Sequence, residues 1–319
     1  MKILVTGAFG NIGSHVVTEL LQRGYDVACF DLKTKANVKT AKQWADKIQC
    51  FWGDIDDPAA LVPAIQGREL VIHLAAIIPP RAAREPDYTS KVNVGGTRNV
   101  VEAISQLNPC PNLIFTSSMG VYGDTLDLPP PRTVQDPLRP FEIYGQTKKE
   151  CEDIIHKSSL KWIIFRLGNA PSSKAMDSDP MMFQIRVDTR MEFVHPADVA
   201  RAIANAITCD EAWEKTFNLG GGKRCQLLYK DFIGGILETV GIGKMPDAAF
   251  GSNHFYTDWL DTEESERLLK YQQLEFKDYL QELSKAMGSK KIFIRMLRPL
   301  IRKKILKASP NWESIKAQK

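Results

Sequence analysis

Ile3-Leu4-Val5-Thr6-Gly7-Ala8-Phe9-Gly10-Asn11-Ile12-Gly13 is an apolar run broken by three glycines, and helical spacing resumes through His15-Val16-Val17-Thr18-Glu19-Leu20-Leu21. This order predicts a strand, a glycine turn and a helix. One glycine lets the chain bend sharply off the strand, a second lets backbone approach a pyrophosphate, and a third lets the helix pack closely. The helix N-terminus then offers N–H groups and partial positive charge to phosphates. The spacing is G-x-x-G-x-x-G rather than G-x-G-x-x-G. Gly7, Phe9, Gly10, Asn11, Ile12 and Gly13 are accordingly candidate dinucleotide ligands.

Working outward, Gly24 ends that helix and Tyr25–Asp31 reads as a second strand closing on an acid. A carboxylate there suits both hydroxyls of an adenosine ribose and repels a 2′-phosphate, which favours NAD over NADP. Lys33 and Lys35 follow closely and keep NADP as the second choice. A helical stretch to about Lys47 leads into a third strand, Ile48–Trp52. Gly53-Asp54-Ile55 closes that strand, a helix covers Ala59–Ile65, and Leu70–Ala76 is a fourth, buried strand. Asn93-Val94-Gly95-Gly96-Thr97 opens a helix to Leu107, Asn112–Ser118 is a fifth strand, and Lys161–Leu167 a sixth. The alternation predicts an α/β fold with a doubly wound parallel sheet. His73, inside an apolar strand, reads as a hydrogen-bonded core residue.

Ligands of such sheets sit outside the carboxyl ends of the strands, where Thr116 and Ser118 fall. Ser118 serves equally well as a turn cap. A proline-rich loop then leads to Tyr144-Gly145-Gln146-Thr147-Lys148. On a helix that offset puts both side chains on one face, so the Lys148 ammonium is expected to lower the phenol pKa of Tyr144. Ser118, Tyr144 and Lys148 are the candidate catalytic residues for carbonyl chemistry whose hydride is carried by a cofactor.

The 319 residues are 44% apolar and 25% charged, ordinary globular composition. Six cysteines lie scattered without C-x-x-C spacing, and no apolar leader precedes Met1-Lys2-Ile3. Reduced thiols in a cytoplasmic protein are expected, with no metal site. No run approaches the roughly 18 apolar residues that cross a bilayer. The net charge of +4 divides into −6 for residues 1–284 and +10 for residues 285–319. Residues 290–307 interleave apolar and basic side chains, a pattern that suits a helix in a membrane interface and equally a solvated tail packed on its own domain or a partner. Pro299 would break such a helix. Nucleic acid is not expected, since no aromatic platform is interleaved with the charges.

With G-x-x-G-x-x-G, Asp31, Gly53-Asp54, His73-Leu74-Ala75-Ala76, Ser117-Ser118-x-x-Val121-Tyr122-Gly123 and Tyr144-x-x-x-Lys148 in this order, the chain resembles the extended short-chain dehydrogenase/reductases, and within them the NAD-dependent epimerase/dehydratase group. Phe193–Ala200 and Phe217–Gly222 agree, so the likeness covers about residues 1–225. It implies a Rossmann domain over 1–170 with a returning segment at about 193–220. A smaller, mostly helical substrate lobe over 171–192 and 221–288 and a basic amphipathic tail over 289–319 complete the organisation.

Further implications of the resemblance concern roles. Tyr144 is the acid/base, Lys148 holds the nicotinamide ribose, and Ser118 bonds the substrate oxygen. Asp54 and Ile55 meet the adenine, and Leu74, Ala75, Ala76 and Thr116 line the cofactor. Asn93 is a relay or structural residue, and pairing into a homodimer is expected. Only 21 residues, 172–192, separate Pro171 from Phe193, so the segment that grips a nucleotide sugar in such enzymes is shortened. That points to a smaller or more apolar alcohol, ketone or sugar, with Met176, Met181, Met182 and Phe183 as pocket or core residues. A nucleotide-sugar epimerase or dehydratase is the alternative, although Met119 and Gly120 stand where a dehydratase would carry acids. A non-catalytic NAD(H)-binding scaffold is the rival from another class.

Overall fold

Ile3, Leu4 and Val5 are fully buried at the centre of a sheet covered on both faces, which is why its strands are continuous apolar runs rather than alternating ones. The computed structural model describes residues 1–172 and 180–313. Its strands are β1 (Lys2–Thr6), β2 (Asp26–Asp31), β3 (Ile48–Trp52), β4 (Leu70–His73), β5 (Asn112–Ser118), β6 (Trp162–Leu167), β7 (Arg190–Glu192), β8 (Lys215–Leu219) and β9 (Gln226–Leu228). All except β7 and β9 form one parallel sheet in the order β3-β2-β1-β4-β5-β6-β8. The order reverses between β1 and β4, and the crevice at that reversal is where such sheets take ligands.

The first helices are α1 (Asn11–Gln22), α2 (Lys35–Ala41), α3 (Pro58–Ile65), α4 (Arg81–Arg84), α5 (Pro86–Ser90), α6 (Gly96–Ser105) and α7 (Ile143–His156). After them come α8 (Pro196–Ala206), α9 (Tyr229–Thr239), α10 (Glu263–Leu269), α11 (Phe276–Met287), α12 (Lys290–Met296) and α13 (Arg298–Leu306). Val16, Val17 and Leu20 of α1 pack with Val199, Ala202 and Ile203 of α8 on one face of the sheet. Leu61 and Ala64 of α3, Val100 and Ile104 of α6, and Cys151 and Ile155 of α7 cover the other. A separate core beyond the carboxyl edge of the sheet gathers Phe183, Phe193, Phe232, Phe250, Phe276 and Tyr279.

Several local expectations change. The helix expected to reach Lys47 ends at Ala41, because Trp44 turns inward and its ring lies 6.2 Å from that of Phe9. Asn93 does not open a helix. It lies within a wide turn, Lys91–Gly95, that continues α5 into α6. Gly234 and Gly235, a glycine pair whose sequence alone reads as a turn, lie inside α9, and a Cβ on Gly235 would stand 3.0 Å from the Phe276 ring, so the glycine lets α9 and α11 pack closely. The antiparallel pair β7–β9 was not expected, since three-residue strands carry no readable period. The basic stretch is two helices, with Pro299 in the first turn of the second, where its missing N–H costs nothing. Met176 lies outside the described residues, as does the Met181 side chain, while Phe183 is fully buried and Met182 packs beside it.

Among the described residues no helix is long and apolar enough to cross a membrane. All six cysteines are free thiols.

Candidate active site

The glycine turn forms a cradle that side chains would fill. Gly7 has φ +66°, the left-handed region that glycine enters freely, and a Cβ there would stand 2.8 Å from the Ala75 nitrogen. A Cβ on Gly13 would fall 2.1 Å from the Gly7 carbonyl, so the third glycine packs the helix against the turn itself rather than against the sheet. Gly10 is exposed and N-caps α1 with no side chain capping the helix, which leaves first-turn N–H groups open toward the crevice. This arrangement fits a dinucleotide pyrophosphate. Asn11 fastens the turn by donating to the Ala170 carbonyl at 2.9 Å, Ile12 packs into the core beneath, and the Phe9 ring lies against Trp44 and Trp52.

Asp31 ends β2 beside this cradle. Its carboxylate accepts from the N–H of Phe9 at 2.9 Å, from that of Leu32 at 2.8 Å and from the Asn37 amide at 3.0 Å. Burial raises its pKa and the two main-chain donors pull it back. Lys33 and Lys35 are exposed. Asp54 is half-buried and takes the Tyr88 hydroxyl at 3.5 Å. The Ile55 side chain is turned into the core, where it occupies the space beside Gly96, so only its backbone remains for a ligand. Leu74, Ala75 and Ala76 follow β4 half-buried along the crevice.

Asn93, expected as a relay or a structural residue, has its amide engaged by neighbouring groups. Its Oδ1 accepts from the Ile77 N–H at 2.7 Å, and its Nδ2 donates to the Ile77 carbonyl at 3.0 Å and to the Thr147 hydroxyl at 3.1 Å. The residue is buried with its amide fully used, tying the loop after β4 to α7 beside Lys148. His73 is a core residue as expected: Thr6 and Thr97 bond its two ring nitrogens at 2.7 and 3.1 Å, and burial lowers its pKa to about 3.

Ser118, Tyr144 and Lys148 come together where β5 ends against the first turns of α7. Ser118 caps the turn, its hydroxyl accepting from the Gly120 N–H at 3.1 Å, and it also hydrogen-bonds the Tyr144 phenol. Lys148 is buried, with its ammonium 4.6 Å from the centre of the Phe115 ring and 5.8 Å from that of Tyr144. Thr116 contributes its carbonyl, which accepts from the ammonium at 2.8 Å. Burial lowers the Lys148 pKa to about 8, against smaller opposing effects of Cys151 and Glu152.

The expected lowering of the phenol pKa is reversed in this structure. Burial first, and the Glu142 carboxylate second, push Tyr144 above the ordinary phenol range, with only the Ser118 hydrogen bond opposing them. A lysine held by a carbonyl one turn away does not outweigh desolvation.

Two residues near the site were not anticipated. Glu142 caps α7, accepting from the N–H groups of Tyr144 at 2.8 Å and Gly145 at 2.6 Å, and Gly120 leaves room for it and for the Tyr256 ring. A carboxylate two residues before a helical tyrosine is a legible cap signal. Tyr256, from the distant C-terminal third, carries no such signal. Behind the site, buried Glu152 joins Arg166 at 2.7 Å and accepts from Ser117 at 2.5 Å, while Arg166 donates to the Tyr122 hydroxyl at 3.1 Å. Among the described residues no His, Cys, Asp and Glu are grouped to hold a metal ion.

Residues 3–220 match the model of the NAD dependent epimerase/dehydratase family. A putative UDP-glucose 4-epimerase of Methanocaldococcus jannaschii is 31% identical over 245 residues, covering 69% of this chain and 77% of that protein. D-erythronate dehydrogenase of Cupriavidus necator is 35% identical over 174 residues, 51% of this chain and 52% of that one, so the match spans about half of that relative. Among solved structures, a short-chain dehydrogenase/reductase superfamily protein from Agrobacterium tumefaciens with bound NAD superposes with a TM-score of 0.75 at 22% identity, covering 93% of this chain and 100% of that one. UDP-glucuronic acid 4-epimerase from Bacillus cereus, in complex with UDP-glucuronic acid and NAD, gives 0.75 at 22% identity over 91% and 99%.

Proposed function

The chain belongs to the NAD dependent epimerase/dehydratase family, and we propose that it is an NAD-dependent oxidoreductase or epimerase acting at one carbinol or carbonyl carbon of a small sugar-like substrate. The observation that carries this reading is the convergence of Ser118, Tyr144 and Lys148 at the carboxyl end of β5, beside the glycine cradle. NAD, when bound, accepts and returns the hydride. Gly7, Gly10 and the first turn of α1 would hold its pyrophosphate, Asp31 its adenosine ribose, the backbone at Asp54 and Ile55 its adenine, and Lys148 its second ribose.

Tyr144 rests as a neutral phenol and is poised to give its proton to a substrate carbonyl oxygen. Ser118 donates to the same oxygen as negative charge develops there. In the opposite direction Tyr144 must first become a phenolate, and Lys148 is the cation on its own helix face that favours that state. Asn93 and Thr147 hold α7 in register with the loop after β4. In this reading residues 1–170 and about 193–220 bind the cofactor, residues 171–192 and 221–288 enclose the substrate, and a homodimer is the working assembly.

The short 172–192 segment and the D-erythronate dehydrogenase relatives favour a small substrate. A second reading, a nucleotide-sugar epimerase, is favoured by the UDP-glucose 4-epimerase relatives. Denaturing freshly purified protein and identifying any released nicotinamide by mass tests both. Reversible binding of added NAD, with oxidation of a sugar acid such as D-erythronate, supports the first. Stoichiometric retained NAD with interconversion of UDP-sugars transfers the chain to the second. Failure to retain or bind any nicotinamide overturns both.

A further inference from the structure

Beyond the reaction, α12 and α13 present a surface the active site does not use. The two helices are docked along one side only. Arg302 donates to the carbonyls of Ile242, Gly243 and Lys244 at 3.2, 3.0 and 2.6 Å, and Ile305, Leu306 and Trp312 enter the core of the C-terminal lobe. Ile294, Ile301 and Ile305 face inward, half-buried.

The other side carries a second apolar stripe. Phe293, Met296, Leu297 and Leu300 recur at offsets of three and four, with Ile292 beside them, and their exposures run from 52% at Leu297 to 73% at Met296. None of the five is in the core of the lobe. Lys290, Arg295, Lys303, Lys304 and Lys307 are exposed around the stripe, and residues 285–307 contain nine Lys or Arg and no acid.

We propose that this face docks the protein on an anionic lipid bilayer, with the apolar stripe entering the headgroup and acyl boundary and the surrounding cations meeting phosphate headgroups. The charge decides the occupant. A second copy would bring the same five exposed cations against these five, whereas an anionic surface attracts each basic side chain and also accepts apolar ones. The docked side fixes the orientation, because Arg302 and Leu306 cannot turn outward without stripping carbonyls and core of their partners. Five inserted side chains and a rim of lysines give a reversible, salt-sensitive attachment rather than a permanent one.

Flotation of the full-length purified protein with vesicles tests this. Expected is flotation with phosphatidylcholine mixed with phosphatidylglycerol, none with phosphatidylcholine alone, and release as salt is raised. The variant F293S/M296S/L300S should lose at least about tenfold in partitioning with its thermal unfolding midpoint unchanged, and K303Q/K304Q about fivefold per cation removed. No flotation on the mixed vesicles at low salt overturns the proposal, and so does equal flotation of the triple serine variant. A fall in oligomer mass by light scattering in that variant, with vesicle binding unaltered, would assign the face to a second copy. Binding to a single-stranded oligonucleotide that mixed vesicles fail to displace would assign it to nucleic acid.

Discussion

The Lys148 ammonium donates to the main-chain carbonyl of Thr116 at 2.8 Å, which holds it 5.8 Å from the centre of the Tyr144 ring. The lysine is therefore positioned by β5 as much as by its own helix. Replacing Tyr144 with Phe removes the transferable proton and leaves this anchor in place. Turnover should fall by about 10²- to 10⁴-fold while NAD affinity is retained. Equal turnover of the variant would favour a non-catalytic scaffold.

Lys148→Met should act through the same phenol. In the proposed mechanism the phenolate is the working form in oxidation, so removing the cation would raise the pH at which the rate is half-maximal. A rise of at least about one unit is expected in the pH profile of kcat/KM, equivalent to about 1.4 kcal/mol. A uniform drop with an unmoved profile would reduce Lys148 to ribose binding.

Asp31→Ala tests cofactor choice. The carboxylate is ordered by the N–H groups of Phe9 and Leu32, and in its proposed role at the adenosine ribose it would repel a 2′-phosphate. Its removal should narrow the preference for NAD over NADP by about tenfold or more, read as the ratio of Kd values, with exposed Lys33 and Lys35 free to meet the added phosphate. An unchanged ratio would remove Asp31 from the ribose site.

Much of this was legible because the decisive features are local. Apolar runs followed by Gly7, Asp31 and Ser118 name strand ends directly, and the Tyr144–Lys148 offset names a helix face. What escaped depended on distant partners. Gly235 reads as a turn until Phe276 and Leu280 fill the space it leaves. Asn93 reads as either a relay or a structural residue, and only its distant partners Ile77 and Thr147 show how its amide is engaged. The phenol of Tyr144 follows its burial beside Glu142 and Tyr256, and burial has no signature in a five-residue motif.

Glu192 links stability to pH. Fully buried, it accepts from the N–H groups of Gly222 at 3.0 Å and Leu260 at 3.1 Å, and burial, the leading cause, still raises its pKa to about 8. A carboxyl with a raised folded-state pKa binds more protons in the folded protein. Its contribution is complete below the ordinary value of 4.5 and is lost as pH climbs through about 8. Urea midpoints should show Glu192→Gln gaining on the wild type across that window. A difference that stays constant with pH would mean that Glu192 is ionised throughout.

The buried Glu152–Arg166 pair tests what holds the floor of the site. Their side chains are 1% and 5% exposed and 2.7 Å apart, and Ser117 and Tyr122, on either side of Ser118, are bonded to them. Glu152→Ala strands a guanidinium in the core, and such a break costs about 3–5 kcal/mol. Replacing both residues with Met removes the stranded charge along with its partner, so chemical denaturation should show much of that loss recovered. Turnover should not recover with it, because Tyr122 and Ser117 lose the groups that orient the end of β5. Recovery of both would mean that the pair serves packing alone.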